Sequence, residues 1–431
     1  MVEVENKIRR YEKYKDSGIS WLEQIPEHWE LKRFKHIFKE KKITHNVELN
    51  CGSISFGKVV YKDDEKIPVS TKKSYQVLNK GEFLINPLNL NYDLKSLRIG
   101  LSDKDVVVSS GYIIVQNKTE LSKDYFKWLL HIFDIAFMKT LGSGVRQTLS
   151  FTHIANSELV FPPLAEQTAI AQFLDDKTSK IEDAIAIKEQ QISLLKERKQ
   201  ILIHKAVTRG LDDSVTLKDS GVEWIGEIPE HWEKKRLTNN IFIQEGPGIM
   251  AVDFKTEGIP LIRISGVKSE TITLDGCNYL DPLKVRRKWN HFKLDQGDLV
   301  ISGSASTELV SEVDEKTVDC ILYTGLIRLK IKSNRLLKNY LKIFLGTKLF
   351  FTQIDLQKTG STISHYGPSH LSNMFIILPP LSEQKEISAY IETASQKIET
   401  AIALKQQEIE KLKEYKSSLI NGVVTGKVRV V

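Results

Sequence analysis

Two stretches of this chain carry apolar side chains at steps of three, four and seven residues. In the first they are Leu174, Ile181, Ile185, Ile192, Leu195 and Leu202; in the second, Ile391, Ile398, Ile402, Ile409, Leu412 and Leu419. That spacing lines one side of an α-helix and, sustained over several heptads, describes a coiled-coil seam. Each stretch follows a proline pair, Pro162-Pro163 or Pro379-Pro380, and then runs without glycine or proline to Gly210 or Gly422, so each predicts one uninterrupted helix. About 45 residues at roughly 1.5 Å each make a rod of roughly 65 Å, longer than the helices of ordinary domains. Such a rod needs a partner, and the simplest one is the other copy, packed antiparallel. Lys188 and Lys199, matched by Lys405 and Lys416, interrupt the seam. Their ammonium ends reach out past the apolar contact, or they mark where further subunits dock.

Between the rods the pattern shortens. The runs Glu82–Ile85, Val106–Val108 and Tyr112–Val115 predict strands in the first intervening region, echoed by Asp298–Ile301 and Leu326–Ile331 in the second,. Amphipathic helices are predicted over about Asp124–Thr140 and Leu337–Phe351. Polar glycine turns follow, Gly142–Thr148 (GSGVRQT) and Gly360–Tyr366 (GSTISHY). The fold class is therefore α+β. Four divisions are expected: a domain over 1–161, a long helix over 162–211, a second domain over 212–378, and a second long helix with the tail over 379–431.

The chain is a tandem duplication. Lys15–Arg33 (KDSGISWLEQIPEHWELKR) returns at Lys218–Arg236 with 13 of 19 positions identical. Pro162–Thr208 returns at Pro379–Thr425 with 23 of 47 identical, including PPL-x-EQ and KIE-x-AIA. The inserts between these frames, 34–161 and 237–378, show no comparable similarity. One architecture presenting two different surfaces fits that contrast, with pseudo-two-fold symmetry between the copies. In the W-x-x-x-IPEHWE block, Trp21, Ile25, Trp29 and Trp224, Ile228, Trp232 read as a clamp joining domain to helix. His28 and His231 have no further His or Cys at ligand spacing, so a metal site is not supported.

Composition narrows the setting. The 431 residues include 41% hydrophobic and 27% charged residues, which suits a soluble globular chain. No apolar run approaches the roughly 20 residues of a membrane-spanning helix, and the polar N-terminus is unlike a secretory signal; a cytoplasmic location is expected. Cys51, Cys277 and Cys320 are too few and too far apart for a disulfide framework or a zinc site,.

The net charge of +7 permits an anionic partner, and its distribution says more. Lys284, Arg286, Arg287, Lys288 and Lys293 cluster with Trp289 and Phe292 interleaved. That cluster is either a phosphate-contacting patch with stacking or wedging aromatics or a solvated charged face. In the glycine turns, Arg146 and Gln147 suit guanine and adenine edges or phosphates, and Ser361, Thr362, His365 and Tyr366 could contact either; the alternative is a loop capping itself. Lys72, Lys73 and Arg98 complete the candidate DNA contacts of the first insert.

Catalytic signatures are missing. There is no phosphate-binding G-x-x-x-x-G-K-[ST] loop, and Gly142-Ser-Gly lacks the third glycine of a dinucleotide fingerprint,. Phe161–Leu164 and Leu378–Leu381 (FPPL, LPPL) have neither the polar first residue nor the aromatic last residue of the amino-methyltransferase motif. Glu30–Lys32 and Glu233–Lys235 match a nuclease-like E-x-K but read better as charge runs.

The order KDSG-x-x-W-x-x-x-IPEHWE, variable insert, G-S-G-V-R-Q, PPL-x-EQ and a long helix ending in VT, all repeated, resembles the specificity subunit of type I restriction-modification enzymes, over essentially the whole chain. The resemblance implies two target-recognition domains joined by two antiparallel helices, reading the halves of a split duplex DNA target. It implies a non-catalytic chain that binds no cofactor itself and docks two modification subunits and, indirectly, restriction subunits. S-adenosylmethionine, ATP and Mg would be used by those other subunits. The second glycine turn, GSTISHYGP, departs from the pattern, so the resemblance assigns no contact role there. A coiled-coil scaffold with protein-binding ends is the alternative from a different functional class.

Overall fold

The structure, a computed structural model, describes residues 10–88, 97–138, 149–303, 309–357 and 366–430. The chain divides into two compact units: Met1–Lys188 with Gln406–Val431, and Glu189–Lys405. Each unit thus takes its N-terminal segment and insert from one copy of the repeat and helical segments from both.

The long helices are Leu164–Arg209 and Leu381–Val424. Their starts follow the proline pairs, and the glutamine of each PPL-x-EQ block ties the first turn down. Gln167 Nε2 donates to Pro162 O (2.8 Å) while its Oε1 accepts from Ser122 N (2.9 Å). Gln384 Nε2 donates to Pro379 O (2.9 Å) and Arg335 O (2.8 Å), and its Oε1 accepts from Leu337 N (2.8 Å). The first helix ends at Gly210, whose φ of +77° is the left-handed conformation that terminates helices at little cost for glycine. The second runs past the expected stop at Gly422 to Val424. Gly422 is tolerated because the tail folds back over it: Val428 N donates to its carbonyl at 2.9 Å, and a Cβ there would lie 3.2 Å from Val428 Cγ2.

The helices pair antiparallel within each unit. In the first unit Lys416 Nζ reaches Glu182 at 2.5 Å and Lys188 Nζ reaches Glu408 at 2.6 Å, so numbers rise along one helix as they fall along the other. In the second unit Lys199 Nζ reaches Glu399 at 2.7 Å, and Ala206 and Val207 share a core with Ile387 and Ile391. Lys188, Lys199 and Lys416 each end on a glutamate of the facing helix, as expected of lysines whose stems lie along an apolar seam. The seam residues Ile181, Ile185, Ile192, Leu195, Leu202, Ile398, Ile402, Ile409, Leu412 and Leu419 are all buried or half-buried.

In each unit a central antiparallel sheet packs against helices. In the first unit a hairpin, Tyr14–Asp16 with Gln24–Pro26, leads into Glu30–Arg33, which pairs with Glu158–Phe161. The central sheet runs in the order Phe38–Glu40, Ile113–Asn117, Phe83–Ile85, Ile99–Leu101. Against it lies the helix Lys123–Ala136, capped by Ser122 and burying Tyr125, Phe126, Leu129, Leu130 and Phe133. The second unit repeats the hairpin (Leu217–Asp219, Glu227–Pro229), the pair Glu233–Arg236 with Phe375–Leu378, and a central sheet in the order Ile241–Glu245, Leu326–Ile331, Leu299–Ser302, Val310–Glu312.

The inserts differ beside the central sheet. The first has two two-stranded sheets, Gly52–Ser55 with Lys58–Tyr61 and Gln76–Leu78 with Val106–Val108, whereas the second has a mixed four-stranded sheet in the order Phe254–Lys255, Asn278–Leu280, Ile259–Ile262, Ile321–Leu322. The single helix expected over Leu337–Phe351 is also two, Lys338–Leu345 and Lys348–Leu356. Gly346 ends the first, and Thr347 caps the second by accepting from Phe350 N at 3.3 Å,. Among the described residues no helix is long and apolar enough to cross a membrane.

Candidate nucleic-acid interface

The repeated IPEHWE block grips the first turn of a long helix. Trp29 is fully buried, and its Nε1 donates to Glu166 Oε2 at 3.0 Å; His28 Nε2 and Glu166 Oε1 share a hydrogen bond of 2.6 Å, and the Tyr11 hydroxyl donates to Oε2 at 2.8 Å. In the second unit Trp232 Nε1 donates to Glu383 Oε2 at 2.8 Å and His231 Nε2 lies 2.7 Å from Oε1. The other long helix ends on the same tryptophan. A Cβ at Gly426 would stand 3.0 Å from Trp29 Cζ3, and one at Gly210 would stand 3.2 Å from Trp232 Cζ2. Each tryptophan therefore locks the start of one helix and the end of the other.

Burial pushes the Glu166 carboxyl up, but the hydrogen bonds from His28, Trp29 and Tyr11 outweigh it and hold the group below the usual carboxylate range,. A carboxyl depressed on folding contributes stability above its unfolded pKa and loses it as pH falls through the folded value. Glu166→Gln should therefore lower stability by about 2 kcal/mol at neutral pH. Thermal melts on acidification should show the gap from wild type closing; a gap that stays constant with pH would mean the carboxylate charge is not what the clamp uses.

The E-x-K segments form strands. Lys32 pairs with Glu30 at 2.9 Å, and the ion pairs with Arg335 and Lys235 hold Glu233 at about 2. Among the described residues no group of three His, Cys, Asp or Glu is placed to hold a metal ion.

The basic cluster of the second insert divides. Lys284 turns to the Asp253 carboxylate and lies 5.5 Å from the Trp289 ring, and Lys293 pairs with Asp319 at 3.2 Å. Arg286, Arg287 and Lys288 are exposed on the turn Val285–Trp289, which buried Val285 anchors, and make no ion pair among the described residues. Trp289 and Phe292, expected to stack or wedge, instead lie half-buried against Ile249, Leu261, Leu280, Val285 and Ile321. The hydrophobic effect has taken the interleaved rings and left the cations in water.

The other candidates also separate. Lys73 is exposed, whereas Lys72 pairs with Asp64 at 2.8 Å, which in turn accepts from Cys51 N at 2.7 Å. Arg98 is 5% exposed, with its Nε on Asp134 Oδ1 (2.8 Å) and its own backbone N on Oδ2 (2.7 Å). Tyr366, also 5% exposed, packs on Phe350, and burial pushes its hydroxyl up to about 12. The structure thus turns Arg98 and Tyr366 inward, where neither offers a surface contact. Arg146, Gln147, Thr362 and His365 lie outside the described residues.

Glu166, Gln167, Glu383 and Gln384 stand in the repeated PPL-x-EQ, so the duplication itself marks them. A glycine-acid pair before an apolar strand also recurs: Glu82 takes Lys41 (2.7 Å) and Gln116 (2.7 Å), and Asp298 takes Arg328 (2.5 Å). Both carboxylates are buried at the same place in the two central sheets, with cations drawn from different strands.

Comparison with known proteins agrees with this duplicated arrangement. The family model described as "Type I restriction modification DNA specificity domain" matches twice, over residues 26–196 and 229–414. The type I restriction enzyme MjaVIII specificity subunit of Methanocaldococcus jannaschii is 25% identical over 421 residues, covering 94% of both chains. The EcoKI specificity subunit of Escherichia coli is 25% identical over 257 residues, 56% of this chain and 53% of that one. Among solved structures, a chain from work on complex assembly and conformational transition of the type I R-M system superposes with a TM-score of 0.68 at 15% identity, covering 93% of this chain and 98% of that one. The HsdS subunit from Thermoanaerobacter tengcongensis gives 0.55 at 17% identity, covering 94% and 98%. With two family domains covering most of its length, the chain belongs to the type I restriction-modification DNA specificity family.

Proposed function

We propose that each unit of this non-catalytic DNA-recognition subunit reads one half of a bipartite duplex target, and that the shared frames present the two readers to a pair of modification subunits. The observation that carries this reading is the contrast between near-identical clamps and unlike inserts. In the second unit the exposed cations Arg286, Arg287 and Lys288 meet phosphates; in the first, Lys73 does. Sequence readout belongs to the glycine turns of Arg146 and Gln147 and of Thr362 and His365. S-adenosylmethionine, ATP and Mg serve the modification and restriction subunits of a cytoplasmic assembly.

The phosphate reading has a direct test. Each phosphate contact contributes about one unit to the slope of log affinity against log salt. The triple substitution R286A/R287A/K288A should lower that slope by about 3 and weaken binding to all duplexes while base preference persists. Lys284→Ala should leave the slope alone, because Asp253 already neutralises that ammonium. An unchanged slope in the triple variant would place the phosphate contacts elsewhere. A protein-binding scaffold would show no salt-dependent affinity for duplex DNA at all.

A further inference from the structure

Gly52–Ser55 and Lys58–Tyr61 form an antiparallel hairpin in which Ser55 lies opposite Lys58, so Phe56 and Gly57 alone make the turn. Both have positive φ, +46° and +75°, the requirement of the two-residue type I′ turn. Asparagine and aspartate tolerate the first position; a bulky aromatic does so only at a cost. No packing among the described residues offsets that cost, since Phe56 is 75% exposed. The tip is nevertheless braced. A Cβ on Gly57 would lie 3.0 Å from Leu97 Cδ1, and one on Gly100 would lie 2.8 Å from Gly57 O. The base of the hairpin is fixed as well, through Cys51 N, Asp64 and Lys72. A strained aromatic held in solvent on a rigid arm is arranged for something outside the chain.

The charge around it selects the partner. Lys58 on the arm, Lys62 at its end and Lys73 on the short helix tied to its base are exposed and make no ion pair among the described residues; of the nearby acids, Asp63 and Asp64 hold Lys66 and Lys72, while Glu48 and Glu65 stand exposed, so the unpaired lysines outnumber the unpaired acids by three to two. Polyanionic DNA offers phosphates for these lysines and, at a base step wedged open, a base face for the ring.

We propose that Phe56 is a stacking probe of the first reader, which presses its ring against a base of the bound duplex while Lys58, Lys62 and Lys73 hold the adjacent backbone. This rests on the recognition reading given above and adds to it the residue that disturbs the base stack.

The test uses the full chain and a pool of short random-sequence duplexes, from which bound duplexes are enriched and sequenced. The enriched duplex is then synthesised with 2-aminopurine at successive positions. Wild type should raise the fluorescence at one position. Phe56→Asn should abolish that rise and weaken binding to the enriched duplex about tenfold, with the salt slope unchanged. Because asparagine suits the turn, the same variant should melt at a higher temperature than wild type, which separates loss of contact from loss of fold. Phe56→Trp should keep the fluorescence signal. A Phe56→Asn chain that binds and unstacks like wild type would overturn the proposal and leave DNA recognition standing. A wild-type chain that enriches no sequence would instead overturn the recognition reading beneath it.

Discussion

A fragment ending near Asp213 should form a homodimer with two-fold symmetry and, supplied with a modification subunit, should direct methylation to a palindrome. The fragment keeps one domain and one whole long helix, whose seam of Ile181, Ile185, Ile192, Leu195 and Leu202 loses its partner. Each such side chain is worth roughly 1.5–3 kcal/mol when fully buried, so the exposed stripe strongly favours association. The duplication provides the fit. Glu182 and Lys199 occupy the repeat positions of Glu399 and Lys416, so the natural pairs Lys416–Glu182 and Lys199–Glu399 become two copies of one pair, Lys199 with the second fragment's Glu182. At the helix end, Gly210 can take the place of Gly426 on Trp29, because each glycine already closes on the equivalent tryptophan. An isologous interface of this kind is closed by its symmetry. Sedimentation showing a well-folded monomer, or methylation confined to the asymmetric target of the full chain, would contradict the pairing.

Exchanging residues 34–161 for the corresponding insert of another family member should change one half of the target and leave the other half intact. The frames on either side of the insert are the ones the two copies share, and they carry the packing that must survive, Trp29 on Glu166 and Gln167 on Pro162; the incoming insert must supply its own strand to pair with Glu30–Arg33, as Glu158–Phe161 does here. Affinity for the original target should fall by a factor on the order of 10³ or more, the usual span between specific and non-specific binding. Enrichment from random duplexes before and after the exchange measures this. If both halves changed together, the inserts would be reading jointly.

What could be read from the sequence was what repeats or recurs at a fixed step. The heptad seam, the antiparallel pairing inside each unit, the clamp and the main strands of both inserts stand where periodicity and duplication put them, because those signals are local. The sequence hides an outcome wherever it depends on a partner far along the chain. Arg98 looks like a free cation until Asp134, 36 residues on, closes over it. Lys284 is claimed by Asp253 from 31 residues away, and Trp289 and Phe292 by an apolar cluster built from four segments. Gly422 gave a false stop because its cover, Val428, lies in the tail. Phe56 is hidden for a different reason: its mark is a positive φ, and an aromatic before a glycine does not announce one.

The measurement that bears most directly on the account is a map of methylated adenines in cells that carry this chain with its modification subunit, compared with cells from which the chain alone has been removed. Two unlike half-sites flanking a run of unread bases, present only with the chain, are the predicted result. A single uninterrupted motif, or methylation that persists unchanged without the chain, would contradict it.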